Sequence, residues 1–231
     1  MGYIVVIEGT DGCGKQTQTE LLAKKLESEG FNVKKFSFPN YNSPSSAPVK
    51  MYLGGEFGSS DMSLDAYQAS VLFSVDRLCS YQKELKDFYE NGGVIIFDRY
   101  VQSNMLHQAG KLKSKEEINK YCDWLDSLEF DTLKLPRPNQ VIFLDMPIEV
   151  SMRLAKEREG LKAQTTKDIH EQNPEHLLHA YNAGKYMCEK YNWQVINCVE
   201  NNSLRTRESI AGDIYSIVSA NLEKNLFLQK D

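Results

Sequence analysis

No stretch of this sequence approaches the roughly 20 consecutive apolar residues that a bilayer-spanning helix needs, which excludes a helical membrane protein. An excess of positive charge is missing too: 27 Lys and Arg against 32 Asp and Glu leave a net charge of −5. With the basic residues scattered as well, a general nucleic-acid-binding surface is excluded, and any bound polyanion is expected to be small. Cysteine is sparse and unpatterned. Cys13, Cys79, Cys122, Cys188 and Cys198 make an odd count, with no C-x-x-C spacing and no histidine partner pattern, so a zinc ribbon or a disulfide framework is not expected. Reduced, mostly buried thiols are. Repeats and low-complexity tracts are absent, and Met1-Gly2-Tyr3 runs straight into an apolar strand, which predicts a cytoplasmic protein.

The 231 residues, 41% of them hydrophobic, suffice for one domain (1–231) with a sizeable core. Short, nearly continuous apolar runs recur at 4–7, 33–38, 94–97, 141–144 and 194–197, as buried parallel strands do. Helical patterns separate them, over 15–29, 65–90, 116–129, 148–158, 175–190 and 206–224. In the first of these, Leu21, Leu22 and Leu26 share a face, and Gly30 stands where a C-terminal cap belongs. This alternation predicts an α/β fold in three layers, a five-stranded parallel sheet flanked by helices, with ligands beyond the C-terminal ends of the strands.

The first strand runs into Gly9-Thr10-Asp11-Gly12-Cys13-Gly14-Lys15-Gln16-Thr17 and then a helical pattern. This is G-x-x-x-x-G-K in its strand–loop–helix context, a P-loop. Backbone N–H groups made convergent by the glycines, and the N-terminus of the following helix, suit nucleotide phosphates. Lys15 adds charge for the outer phosphates. Gln16 stands where a hydroxyl residue normally serves magnesium; an amide oxygen is a weaker but legitimate hard ligand. Thr17 is expected to reach the α-phosphate. Cys13 has a helix N-terminus to lower its thiol pKa, but a small filler residue is the simpler reading.

Other strand ends converge on the same edge: Phe38-Pro39-Asn40-Tyr41, Asp98-Arg99-Tyr100 and Asp145-Met146-Pro147. Residues 39–62, rich in Pro, Gly and Ser, read as an acceptor-side loop. Residues 153–171, dense in cations around Gly160, read as a short mobile lid.

Together these residues resemble the thymidylate kinase family over nearly the whole chain. The resemblance rests on the P-loop, Phe38-Pro39, Leu72-Phe73-Ser74-x-x-Arg77, and Asp98-Arg99-Tyr100-x-x-Ser103 followed by Gln108. Pro136-Arg137-Pro138 and Leu144-Asp145-x-Pro147 complete it. The family implies transfer of the γ-phosphate of ATP to dTMP with magnesium, in a homodimer. Carried over, Phe73 stacks on thymine, Arg77 donates to a thymine carbonyl and Gln108 reads the N3 edge. Arg99 clamps the acceptor phosphate, Asp11 contacts the sugar 3′-hydroxyl, and Asp98 organises magnesium with Gln16. Phe38, Tyr100, Ser103 and His107 complete the acceptor site.

Besides Gln16, three departures qualify the match. His107 replaces an aromatic ring that excludes a ribose 2′-hydroxyl, so deoxy selectivity is open. Asn40 and Tyr41 supply no arginine after Pro39, leaving Arg77 and Arg99 more of the phosphate. Gly12 takes a position where some members carry arginine, so the transition-state cation is expected from the lid, Arg153 and Arg158 first, then Lys162 or Lys167. The adenine site is expected around 198–204. A monophosphate is largely dianionic at pH 7, its second pKa being about 6, and needs only alignment and charge neutralisation. A nucleoside hydroxyl needs a base, and Phe38-Pro39 offers no carboxylate where the resembling deoxynucleoside kinases have one. The monophosphate acceptor is therefore favoured. A deoxynucleoside kinase, a broader pyrimidine monophosphate kinase and a catalytically silent nucleotide-binding module remain as alternatives.

Overall fold

The computed structural model describes residues 1–161, 173–201 and 203–228, except the side chains of 155–161 and 225–228. In chain order the elements are β1 (Tyr3–Glu8), α1 (Lys15–Ser28), β2 (Val33–Ser37), α2 (Ala47–Leu53), α3 (Ala66–Ser80), α4 (Lys86–Glu90) and β3 (Val94–Asp98). There follow α5 (Val101–His107), α6 (Lys115–Asp126), β4 (Gln140–Asp145), α7 (Ile148–Leu161), α8 (Pro174–Tyr191), β5 (Gln194–Asn197), β6 (Val199–Glu200), β7 (Ser203–Leu204) and α9 (Arg207–Leu228). No helix among the described residues is long and apolar enough to cross a membrane.

The sheet has five strands in the order β2-β3-β1-β4-β5, and every pairing is parallel. Its apolar runs are continuous because both faces are covered. Ile4 and Val6 of β1 point into a core shared with Tyr100, Met105, Tyr121 and Met187. Tyr3, Val5 and Ile7 point into another, with Leu22 and Leu26 of α1 and Ile210, Ile214 and Val218 of α9. The register sets Ile7 opposite Asp98 and Ser37 opposite Asp98. Glu8 lies opposite Phe143 of β4. The strand ends that carry charge therefore share one edge, at the reversal of strand order beside β1.

Helix signals act as local chemistry dictates. Asp65 and Ser114 each form a reciprocal capping box, with Gln68 and Glu117 respectively. Gly30 follows α1 at φ 89°, a left-handed value that suits glycine. Two sequence expectations need correction. The 39–62 segment contains a 3₁₀ turn at Pro44–Ser46 and α2 as well as loop, because Val49, Tyr52 and Leu53 pack on Ala69 of α3. The 65–90 helix is divided by a wider turn at Tyr81–Leu85, and α5 went unread because its apolar face is short. Replacing the α6 cap, Ser114→Ala, is expected to cost about 1 kcal/mol. A lower denaturant midpoint at unchanged m-value checks it.

Candidate active site

β1 delivers the P-loop, and Gly14 caps α1. A Cβ on Gly9 would lie 2.6 Å from Cys13 Sγ and 3.0 Å from the Leu144 carbonyl oxygen, so only glycine lets the loop turn there. Lys15 Nζ donates to the Gly9 and Thr10 carbonyls at 2.9 and 2.8 Å and lies 3.8 Å from Asp11. Cys13 is buried, and burial raises its thiol pKa against the opposing pull of Lys15 and Arg99. It fills space.

β3 delivers the other half. Arg99 holds φ 71°, a conformation uncommon and costly outside glycine, at the corner between β3 and α5. Its Nη2 donates to Asp11, and its Nη1 reaches Ser103 Oγ at 3.3 Å and His107 Nε2 at 3.0 Å. Burial lowers the Arg99 pKa, but Asp11, Glu8 and Asp98 together raise it further. Beneath the corner lies Glu8, fully buried. One of its oxygens accepts from Tyr100 N–H at 3.2 Å and from Ser103 O–H at 2.8 Å; the other has no partner. Burial raises the Glu8 pKa, with Arg99, Ser103 and Lys15 opposing.

A cavity of about 260 Å³ joins these parts. Its wall includes Asp11, Gly12, Gly14, Lys15, Gln16, Phe38, Phe73, Arg77, Asp98, Arg99, Tyr100, Ser103, His107 and Gln108. Most of the sequence-predicted residues are thus brought together. Gly9, Thr10, Cys13 and Thr17 belong to the loop or α1 behind the wall. Phe38 and Tyr100 line the cavity from the core, buried among the apolar residues of the sheet. Tyr100 stacks on Phe97 at 4.5 Å and donates to the Pro136 carbonyl at 3.1 Å, and Phe38 packs against the same pair. Arg153 is exposed on α7 and not part of the wall. The Arg158 side chain, Lys162 and Lys167 lie outside the described residues. Within the expected adenine region, Val199–Glu200 and Ser203–Leu204 pair antiparallel as β6 and β7.

Arg77 carries a partner that the sequence did not announce. Its Nε and Nη2 donate to Glu129, and its Nη1 donates to Asn104 Oδ1 at 3.0 Å. Of five guanidinium N–H groups, these three bonds leave two for a ligand. Because Glu129 offsets its charge, Arg77 is better suited to a base carbonyl than to a share of the acceptor phosphate. Asn104 was missed as well. Its Nδ2, and Oε1 of Gln108, are buried polar atoms without a hydrogen-bond partner, and both residues line the cavity. The available signal was Asn104 directly after Ser103; for Glu129 it was one acid between Leu128 and Phe130, needed by a buried arginine. Arg137 of the Pro-Arg-Pro segment bonds Asp126 at 2.6 and 2.8 Å on the surface, away from this cavity.

Asp98 lines the cavity, and its carboxylate makes no hydrogen bond or salt bridge among the described residues; Gln16, also on the wall, is exposed. One carboxylate and one amide oxygen fit magnesium, which relies on water and phosphate oxygens for the rest of its shell.

A family profile described as thymidylate kinase matches residues 7–202. The chain is 33% identical over 162 residues to the thymidylate kinase of Mycobacterium tuberculosis, covering 70% of this chain and 72% of that one. It is 36% identical over 155 residues to a probable thymidylate kinase of Thermococcus gammatolerans, covering 66% and 70%. The chain belongs to the thymidylate kinase family. A solved thymidylate kinase from Candida albicans shares the fold at a TM-score of 0.67 and 22% identity, over 95% of this chain and 92% of that one. A nucleotide kinase assembled on this fold is thus what the cavity serves.

Within it, Arg77 and Glu129 form a buried pair whose members depend on each other. Glu129→Ala is expected to destabilise the fold by about 3–5 kcal/mol by leaving a buried charge unpaired. The double variant Arg77→Met, Glu129→Leu should recover much of that loss. Thermal melts of the three proteins check it.

Proposed function

We propose that this enzyme moves the γ-phosphate of ATP to dTMP, giving dTDP and ADP for dTTP synthesis, with magnesium, as a homodimer in the cytoplasm. One observation carries the acceptor: Gln108 Oε1 and Asn104 Nδ2, a buried acceptor and a buried donor without partners, share the cavity with Arg99 and the P-loop. A thymine ring presents the complement, an N3–H donor flanked by carbonyl acceptors. Buried polar atoms left unpaired are costly, so they select a ligand that satisfies them. Phe73, on the cavity wall and edge-on to Tyr52 at 6.3 Å, offers an aromatic surface for the base. Arg77 offers its two remaining N–H groups to a base carbonyl.

At the reacting end, an oxygen of the dTMP phosphate attacks the γ-phosphorus in line. The bond to the β,γ-bridging oxygen breaks, and ADP leaves with that electron pair. The acceptor dianion needs no base, so the protein's task is alignment and neutralisation. Arg99 orients the acceptor phosphate and reduces its repulsion with the γ-phosphate. Lys15 holds the outer phosphates of ATP, and Asp11, already bonded to Arg99, is placed for the sugar 3′-hydroxyl. Lid cations, Arg153 and Arg158 among them, are the candidates for the developing charge. Magnesium, held by Asp98 and Gln16, supplies further neutralisation of the phosphates when bound.

Coupled ADP release with dTMP, dUMP, UMP and thymidine as separate acceptors tests the reaction. Turnover is expected to be best with dTMP, absent with thymidine and abolished by chelating magnesium. Arg99→Ala should lower kcat/KM for dTMP by about a hundredfold or more while ATP affinity changes little. Equal loss of both sinks the assignment. The homodimer draws support from α3, whose Val71 and Val75 are each 43% exposed one turn apart, with Cys79 exposed on the next. Val75→Arg is expected to convert the dimer to monomer in sedimentation velocity.

A further inference from the structure

His107, on the cavity wall, opens a chain of buried polar groups that runs away from the site. His107 Nε2 lies 3.0 Å from Arg99 Nη1. His107 Nδ1 lies 3.2 Å from His176 Nε2, and His176 Nδ1 lies 2.9 Å from Asp61 Oδ2. The two imidazoles are stacked, 17° apart in plane, and both are buried. The direction of every bond follows from one fact: a guanidinium only donates. His107 Nε2 must therefore accept, which leaves the proton of a neutral ring on Nδ1. That proton is donated to His176 Nε2, so the His176 proton is also on Nδ1 and is donated to the Asp61 carboxylate.

We propose that His176 and Asp61 are positioning residues for the acceptor phosphate. With His107 they form a one-way hydrogen-bond chain, Arg99 to His107 to His176 to Asp61, that holds both imidazoles in the Nδ1–H tautomer and keeps the Arg99 guanidinium aimed into the cavity. The proposal rests on the reading of Arg99 as the phosphate clamp.

The far end of the chain is anchored for this task. Asp61 uses its second oxygen to accept from Asn173 Nδ2 at 3.2 Å. Asn173 caps α8, its own side-chain oxygen accepting from Glu175 N–H and His176 N–H. Asp61 thus ties the segment between α2 and α3 to the first turn of α8, and Tyr52 O–H donates to the Asp61 backbone carbonyl at 3.1 Å. Burial lowers the His176 pKa below the ordinary imidazole value and Lys111 adds to that, against Asp61 and Asp11. Lys111, whose pKa burial brings down to about 8, donates to Tyr52 O–H and to the Leu64 carbonyl, so it supports the same segment without competing for the imidazole.

The test combines a spectrum with a split in kinetic constants on the full chain, which has only four histidines. Long-range ¹⁵N imidazole spectra at pH 7.5 should show His107 and His176 as Nδ1–H, opposite to the tautomer that free imidazole side chains favour. His176→Leu cannot accept from His107 and should raise KM for dTMP about tenfold, the scale of one hydrogen bond to a charged network, with KM for ATP unchanged. His176→Gln, which both accepts and donates, should restore most of the dTMP affinity. Either ring found as the Nε2–H tautomer or as the cation overturns the proposal. So does an unchanged KM for dTMP in His176→Leu. Arg99→Ala separates the two layers of the argument: if it leaves KM for dTMP unaltered, the clamp reading fails, whereas loss there without loss in His176→Leu removes only the chain. Should His176→Leu fail to fold, the spectra of the parent and of His176→Gln decide.

Discussion

The site is organised by a carboxylate that water does not reach. Glu8 sits at the end of β1, one residue before the P-loop, and is fully buried. Isolating such a group costs several kcal/mol unless charge and hydrogen bonds compensate it. Here Tyr100 N–H and Ser103 O–H donate to it, and Arg99 and Lys15 supply opposing charge. Those four compensating groups come from the corner after β3 and from α1. One buried carboxyl group therefore ties the acceptor half of the site to the donor half. It also accounts for Arg99 tolerating a left-handed backbone, since the strain at the corner is held by contacts that a relaxed corner would forfeit.

From this frame follows the division of labour between two arginines. A nucleotide acceptor brings a base needing direction-specific hydrogen bonds and a phosphate needing charge. Arg77, neutralised by Glu129 and bonded to Asn104, contributes geometry. In the proposed reaction, Arg99, at the mouth of the P-loop, contributes charge. β2 itself ends in Phe38-Pro39 without a carboxylate, so that strand offers no base for a hydroxyl acceptor. The cavity is equipped to bring two phosphates together.

The sheet was legible because its strands are buried on both faces and hence uniformly apolar, as Ile4–Ile7 and Ile142–Leu144 are. The P-loop was legible because its chemistry requires glycines and lysine at fixed spacing. Much of the acceptor site followed from the Asp-Arg-Tyr and Phe-Ser-x-x-Arg segments. What escaped were partnerships across long sequence separations: Arg77 with Glu129, 52 residues apart, and His176 with Asp61, 115 apart. No periodicity encodes such pairs. Tyr100 and Phe38 serve both roles, lining the cavity while packing into the core beneath it.

The two ion pairs differ in the property that decides whether a ligand can use them. Arg77 and Glu129 have side chains 2% and 0% exposed, so separating them leaves a desolvated charge, and the pair behaves as fixed scaffold. Arg99 and Asp11 are 17% and 27% exposed. Solvent screens that pair, so its net contribution is smaller, and an arriving phosphate dianion can draw the guanidinium away from Asp11 at modest cost. In the proposed reaction, Asp11 then turns from the guanidinium toward the sugar hydroxyl. Under the proposed role of Arg99, partial exposure is therefore needed: a pair as deeply buried as Arg77 and Glu129 would hold the cation too firmly for phosphate to recruit.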